Sequence, residues 1–374
     1  MDYGKYRDIA PYRGEDFQDA LGRFLSSRDS IDKFFSSLFL PGDPRKDAFI
    51  DALPMLARDI HDYQDFQKKV TSGVLIPTVV KRTIEEFTST GGEALEKGKS
   101  YLFISTHRDI ILDCALVDYA MLGMGHPLVE MAFGDNLITS KFVEDLFRLN
   151  GGILVKRELP IREKYTETVR LSEYIVESIT EGGTSVWVAQ KSGRSKDGID
   201  ETHPAIIKML YVSQKKKGIS FSDLIKNMHI VPVSISYQYN PNDVMMSREE
   251  VGKIEKGQYE KKKYEDAVSM MKGIKENKGK THLSFGRMLD GDYQTPEEVA
   301  RAIDKEIHTS YKLWDTNYFA YDYLEGTKRF EKEYEDLDVD KFLLRFKHSS
   351  ESVRNYALSS YANPVRKYLE EVEA

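Results

Sequence analysis

Hydrophobic and polar positions along this chain follow two rhythms. Up to about residue 90 the apolar positions recur at helical spacing. Amphipathic stretches fall near residues 16–25, 31–38, 49–63 and 74–87, with breaks at Pro41-Gly42-Asp43-Pro44 and at Thr71-Ser72-Gly73. A Gly91-Gly92 pair marks the change. Beyond it, short runs rich in β-branched and aromatic residues at 101–105, 128–133, 152–155, 184–189, 230–237 and 282–285 alternate with helical stretches at 111–122, 140–149, 162–181, 204–215 and 249–275. Strands alternating with helices predict an α/β fold, a mostly parallel sheet flanked by helices on both faces. Thr295-Pro296-Glu297-Glu298 reads as a capping box with proline at the first helical position. Val299, Ile303 and Ile307 supply the buried stripe of the helix that begins there. The expected organisation is an N-terminal helical region over 1–90, an α/β domain over 91–326, and a charged helical tail over 327–374 that reads as an appendage.

Composition narrows the function classes. Of the 374 residues, 40% are apolar and 31% charged, enough apolar material for a large core and too much for a disordered chain. Fifty-four Lys and Arg stand against 61 Asp and Glu, a net charge of −7 that argues against a dedicated nucleic-acid binder while leaving room for a local basic pocket. The single cysteine, Cys114, excludes a disulfide framework and a cysteine-based zinc site. The eight histidines show no paired ligand spacing, so no metal is expected. No segment reaches the roughly 18 apolar residues of a membrane span, and the N-terminus has no apolar signal core. The expected location is the cytoplasm, with attachment to the inner face of the cell membrane at most peripheral.

In an open α/β sheet, ligands collect at the carboxyl ends of the strands. After the first β-run stands Ser105-Thr106-His107-Arg108-Asp109, with Asp113 further on. A histidine leaving a strand, held through Nδ1 by Asp109 or Asp113, keeps its other nitrogen free to accept a proton. Such a base is worth about 10²–10⁴-fold in rate. Lys156-Arg157 follows the third run, and Lys191-Ser192-Gly193-Arg194 the fourth. Basic clusters at the same sheet edge as a base suit a phosphate, gripped by guanidinium and by backbone amides that approach past Gly193. His107-Arg108-Asp109 also opens the protein-kinase catalytic-loop signature. That signature needs asparagine where this chain has Cys114, and no glycine-rich loop or Asp-Phe-Gly accompanies it, which argues against a kinase.

The ordered set His107…Asp113, Gly152-Ile153-Leu154-Val155-Lys156-Arg157, Gly193-Arg194-Ser195 and Ile230-Val231-Pro232-Val233 resembles the four blocks of the glycerolipid acyltransferase superfamily. That superfamily includes glycerol-3-phosphate and 1-acylglycerol-3-phosphate acyltransferases. Phe133-Gly134-Asp135-Asn136-Leu137, Trp187-Val188-Ala189-Gln190 and Asp8-Ile9-Ala10-Pro11-Tyr12-Arg13 look like its soluble bacterial 1-acyl-sn-glycerol-3-phosphate acyltransferase-like branch.

The resemblance implies acyl transfer from a coenzyme A or acyl-carrier-protein thioester to a hydroxyl of a glycerol-phosphate-type acceptor such as lysophosphatidate, with no cofactor beyond these co-substrates. His107 would be the base. Asp113, or alternatively Asp109, would orient it. Arg157 and Arg194, with Lys156, Lys191, Ser192 and Gly193 in the same loops, would hold the acceptor phosphate. Backbone amides at the start of the helix after His107 are the expected oxyanion donors. The family's orienting Asp usually stands where this chain has Leu112, and its acidic residue before Gly193 is here Ser192. The second departure leaves open an alternative, a non-catalytic protein on the same fold that binds phospholipid or a partner.

Overall fold

The computed structural model describes residues 1–373. Seven strands form one sheet: β1 (Glu86–Thr90), β2 (Leu102–Ser105), β3 (Glu130–Gly134), β4 (Gly152–Val155), β5 (Val186–Ala189), β6 (Ile230–Tyr237) and β7 (Lys280–Phe285). Their order is β1-β7-β6-β2-β5-β3-β4. The five strands β6, β2, β5, β3 and β4 run parallel; β7 is antiparallel to β6 and carries β1 parallel to itself.

The register sets Leu102 level with Val186 and Ile230, and Phe103 level with Trp187 and Val231. Successive side chains leave a strand on opposite faces, so these two rows face opposite ways, and both are buried, as a parallel sheet requires. Phe103, Trp187 and Val231 share a core with residues of the helices Gly14–Ser26, Arg28–Leu38, Ile76–Thr83 and Leu112–Gly123. Leu102, Val186 and Ile230 share a second core with the helices Ile161–Thr180, Pro204–Lys216 and Pro296–Ser310. The capping box forms. Thr295 Oγ1 accepts from the Glu298 amide at 3.2 Å, and the Glu298 carboxylate accepts from the Thr295 amide at 3.3 Å.

Two segments differ from the sequence expectation. Residues 86–90, placed in the helical region, are the edge strand β1. Only Phe87 in Glu-Phe-Thr-Ser-Thr is apolar, and four of its five residues are exposed, so the strand carries no alternation to read. The tail is not set apart either. Helix Glu351–Glu373 packs on the helices Asp315–Glu325, Asp243–Lys256 and Pro296–Ser310. The Asp243 carboxylate holds both Arg345 and the Tyr361 hydroxyl at 2.9 Å. Its charged residues form an outer surface over a third apolar core that includes Phe319, Phe342 and Leu358.

In the N-terminal region, Gln67–Leu75 adopts π-helical turns that run directly into Ile76–Thr83. Such turns are rare and concentrate near functional sites. Among the described residues no helix is long and apolar enough to cross a membrane.

Candidate active site

The site begins where β2 ends. Thr106 stays pinned to β6: its amide donates to the Val233 carbonyl at 3.0 Å, and its Oγ1 accepts from the Ile235 amide at 2.9 Å. The chain then turns into helix Leu112–Gly123, and His107 sits in that turn. Its Nδ1 lies 3.0 Å from Asp113 Oδ2, and its side chain keeps 15% of its surface accessible. The same carboxylate oxygen accepts from the amides of Arg108 (2.5 Å) and Asp109 (2.8 Å), while Oδ1 accepts from the Tyr237 hydroxyl at 2.7 Å. Burial, and then the charge of Asp113, push the Tyr237 phenol well above its ordinary range, so it remains a donor.

A carboxylate so held is an acceptor, so His107 Nδ1 carries the proton and Nε2 bears the free lone pair. Trp187 meets the imidazole edge-on, with ring centres 5.6 Å apart.

Asp113 is therefore the residue that orients the histidine. Asp109 does not touch the ring. Its Oδ1 accepts from the amides of Ile111 (3.0 Å) and Leu112 (2.8 Å), capping the helix, and its Oδ2 accepts from Asn242 Nδ2 at 3.2 Å. Burial raises its carboxyl above the usual range. In the turn where the oxyanion donors are expected, the amides of Arg108, Asp109, Ile111 and Leu112 are committed to the two carboxylates.

His107 opens onto a cavity of about 350 Å³ between the sheet and the helices of residues 28–38, 67–83, 112–123, 141–149 and 265–275. Its walls are overwhelmingly apolar. Its two cations, Arg157 and Lys191, and two of its glycines, Gly134 and Gly193, stand at the carboxyl ends of parallel strands on the same side as His107. Gly193 has φ +83°, a conformation that favours glycine and turns the loop sharply. Gly134 makes room for Arg157: a Cβ there would lie 2.3 Å from Arg157 Nε.

The remaining basic candidates stand elsewhere. Lys156 is turned to Asp8 (2.6 Å) and Glu167 (3.2 Å), away from the cavity, because neighbours on an extended backbone point to opposite sides. Arg194 donates to Ser269 Oγ at 2.6 Å, and Ser269 in turn donates to Asn242, so its guanidinium braces helix Glu265–Lys275 and does not line the cavity. Ser192, where the resemblance leads one to expect an acid, is exposed and lies outside the cavity wall.

Two further ties hold the turn that carries His107. The Ser195 amide donates to the His107 carbonyl at 2.6 Å, joining the basic loop to the turn. Arg108 is 5% exposed and pairs with Asp200, with its guanidinium 5.0 Å from the centre of the Tyr311 ring. Burial alone would raise Asp200, but Arg108 overrides it and holds the carboxyl below its ordinary range. Tyr237, Arg108 and Asp200 carry no signal in the sequence for these roles; their partners lie 124 and 92 positions away, where no local spacing points to them. Among the described residues no group of three or more His, Cys, Asp or Glu side chains could hold a metal ion.

Residues 86–236 match the family model described as Acyltransferase. No protein of curated function matches the chain. Among solved structures, the 1-acyl-sn-glycerophosphate acyltransferase PlsC of Thermotoga maritima is similar at 14% identity and a TM-score of 0.39, over 77% of this chain and 91% of that one.

Proposed function

We propose, for a chain whose residues 86–236 match the acyltransferase family model, the transfer of a fatty acyl group from a thioester to a hydroxyl on a phosphate-bearing acceptor. The observation that carries the reading is the shared cavity: a histidine with its outer nitrogen free, two cations and a long apolar wall meet at one sheet edge.

The acceptor's phosphate sits between Arg157 and Lys191, close to the backbone at Gly193. That places its hydroxyl at His107, and the acyl chain of the donor lies along the apolar wall. Nε2 takes the hydroxyl proton as the oxygen attacks the thioester carbonyl. The new C–O bond forms, the C–S bond breaks, and the proton passes from the imidazolium to the departing thiolate. Asp113 keeps the imidazole in the reactive tautomer and steadies its positive form, and Tyr237 and the two amides keep Asp113 in place. No covalent enzyme intermediate is needed. Coenzyme A and acyl carrier protein both supply such a thioester, and lysophosphatidate and glycerol 3-phosphate both supply such a hydroxyl.

Purified protein is to be assayed for free thiol released from an acyl-coenzyme A in the presence of lysophosphatidate, glycerol 3-phosphate or their dephosphorylated counterparts. Release that depends on a phosphorylated acceptor, with Arg157→Ala raising KM for it about tenfold, supports the reading. Saturable lipid binding with no thiol release from either carrier supports the binding-protein alternative.

A further inference from the structure

The cavity that the proposed reaction assigns to the acyl chain is not apolar throughout. Its far end is lined by Thr71, Ser72, Asp118 and Asn150. Two independent features place this end away from His107. Ile111, Ala115 and Asp118 line the cavity from one face of helix Leu112–Gly123, which sets Asp118 about 10 Å beyond Ile111. Asn150 lies just before β4, and Met131 lies near the start of β3, whereas Gly134 and Arg157 stand at the carboxyl ends of the same strands. The cavity thus runs the length of the sheet, from a basic mouth to a polar floor.

The floor is only partly satisfied. Thr71 is bonded to Asn150. Asp118 accepts from the Val129 amide at 2.8 Å and from Gln67 Nε2 at 2.9 Å. Burial pushes the Asp118 carboxyl well above the usual range. Ser72 is 1% exposed and its Oγ has no hydrogen-bond partner; neither has Oε1 of the neighbouring Gln67. Ser72 and Thr71 both line the wall from the π-helical turns. A plain hydrocarbon tail would leave Ser72 Oγ and Gln67 Oε1 without partners, a loss comparable to a missing hydrogen bond.

Building on the acyl-transfer reading, which puts the fatty chain in this cavity, we propose that the cavity selects an acyl chain carrying a hydroxyl on its distal half, which bonds Ser72 Oγ and the Asp118 carboxyl at the floor. A site that hydrogen-bonds a substrate hydroxyl discriminates against the analogue without it more strongly than an apolar pocket discriminates between methylenes.

The test compares the coenzyme A thioester of a saturated medium-chain fatty acid with that of the same acid bearing a terminal hydroxyl, on wild type and on Ser72→Ala. The expected result is a kcat/KM about tenfold higher for the hydroxylated donor, falling to near parity in Ser72→Ala. Calorimetric binding of the two free acids to His107→Ala, which needs no turnover, separates this inference from the reaction itself. Preferential binding of the hydroxy acid without turnover in wild type keeps the floor assignment and removes acyl transfer. Turnover with equal or better use of the plain chain, unchanged by Ser72→Ala, keeps acyl transfer and overturns the floor assignment.

Discussion

The two faces of the sheet are built from the same strands and do different work. On one face Leu102, Ile104, Val186, Val188 and Ile230 meet the helices of residues 161–180, 204–216 and 296–310 in a filled core. On the other face β5 presents Trp187 and then the small Ala189, and the helices arriving from the N-terminal region do not close over it. A space of about 350 Å³ remains, with His107 at its rim. Alternation along each strand thus separates two tasks: branched side chains on one face supply stability, and a small residue on the other leaves room for a ligand.

Substitutions can break or sharpen this contrast. Ile303 is fully buried on the filled face, and Ile303→Ala is expected to destabilise by about 2–5 kcal/mol in denaturant melts while leaving the Michaelis constants of the folded protein unchanged. A loss of activity out of proportion to folded protein would blur the division.

The filled face also holds an electrostatic cost. Burial pushes Asp304, which accepts from the Thr202 amide at 2.7 Å, up to about 6. The folded state therefore binds this proton more tightly than the unfolded chain does. Its contribution to stability is full below about pH 4 and is lost as pH rises through 6, by up to about 3 kcal/mol. Asp304→Asn should remove that slope from the melting temperature between pH 4 and 7, and a variant with the wild-type slope would refute the assignment.

On the open face the effects move to catalysis. Tyr237→Phe removes the donor to Asp113 Oδ1 and leaves a buried acceptor unpaired, worth about 1–2 kcal/mol. The expected outcome is a drop of about tenfold in kcat with little change in KM; a change in KM alone would assign Tyr237 to substrate binding. Met271 lines the cavity from helix Glu265–Lys275, and Met271→Ala adds room to a space that already exists. A stability change under about 1 kcal/mol with a shift of preference toward bulkier acyl chains would fit, and a large destabilisation would show that the open face is also a packing core.

The residues that the sequence made legible are those whose signal is local. Six of the seven strands coincide with its β-rich runs, and the capping box at Thr295 stands where its four letters place it. His107 and Asp113 could be paired because a turn and one helical step separate them. Strand β1 was hidden because an exposed edge has no apolar alternation. Lys156 and Arg157 looked equivalent as a basic pair, yet extended backbone sends one to Asp8 and the other to the cavity. Reading their parity against the buried Leu154 would have divided them. Arg194 and Asp109 were drawn from the right loops, and their actual partners, Ser269 in helix Glu265–Lys275 and Asn242 just before helix Asp243–Lys256, come from segments whose placement no motif encodes. The cavity's depth and its polar floor depend on how the π-helical segment packs against β3 and β4, a long-range property with no counterpart in local spacing.

The most direct test of the account is the turnover of His107→Gln, a side chain that can still donate to Asp113 but is not a base. The account predicts a fall of about 10²–10⁴-fold in kcat at an unchanged melting temperature and with binding of a phosphorylated acceptor retained. Wild-type turnover by that variant would contradict it.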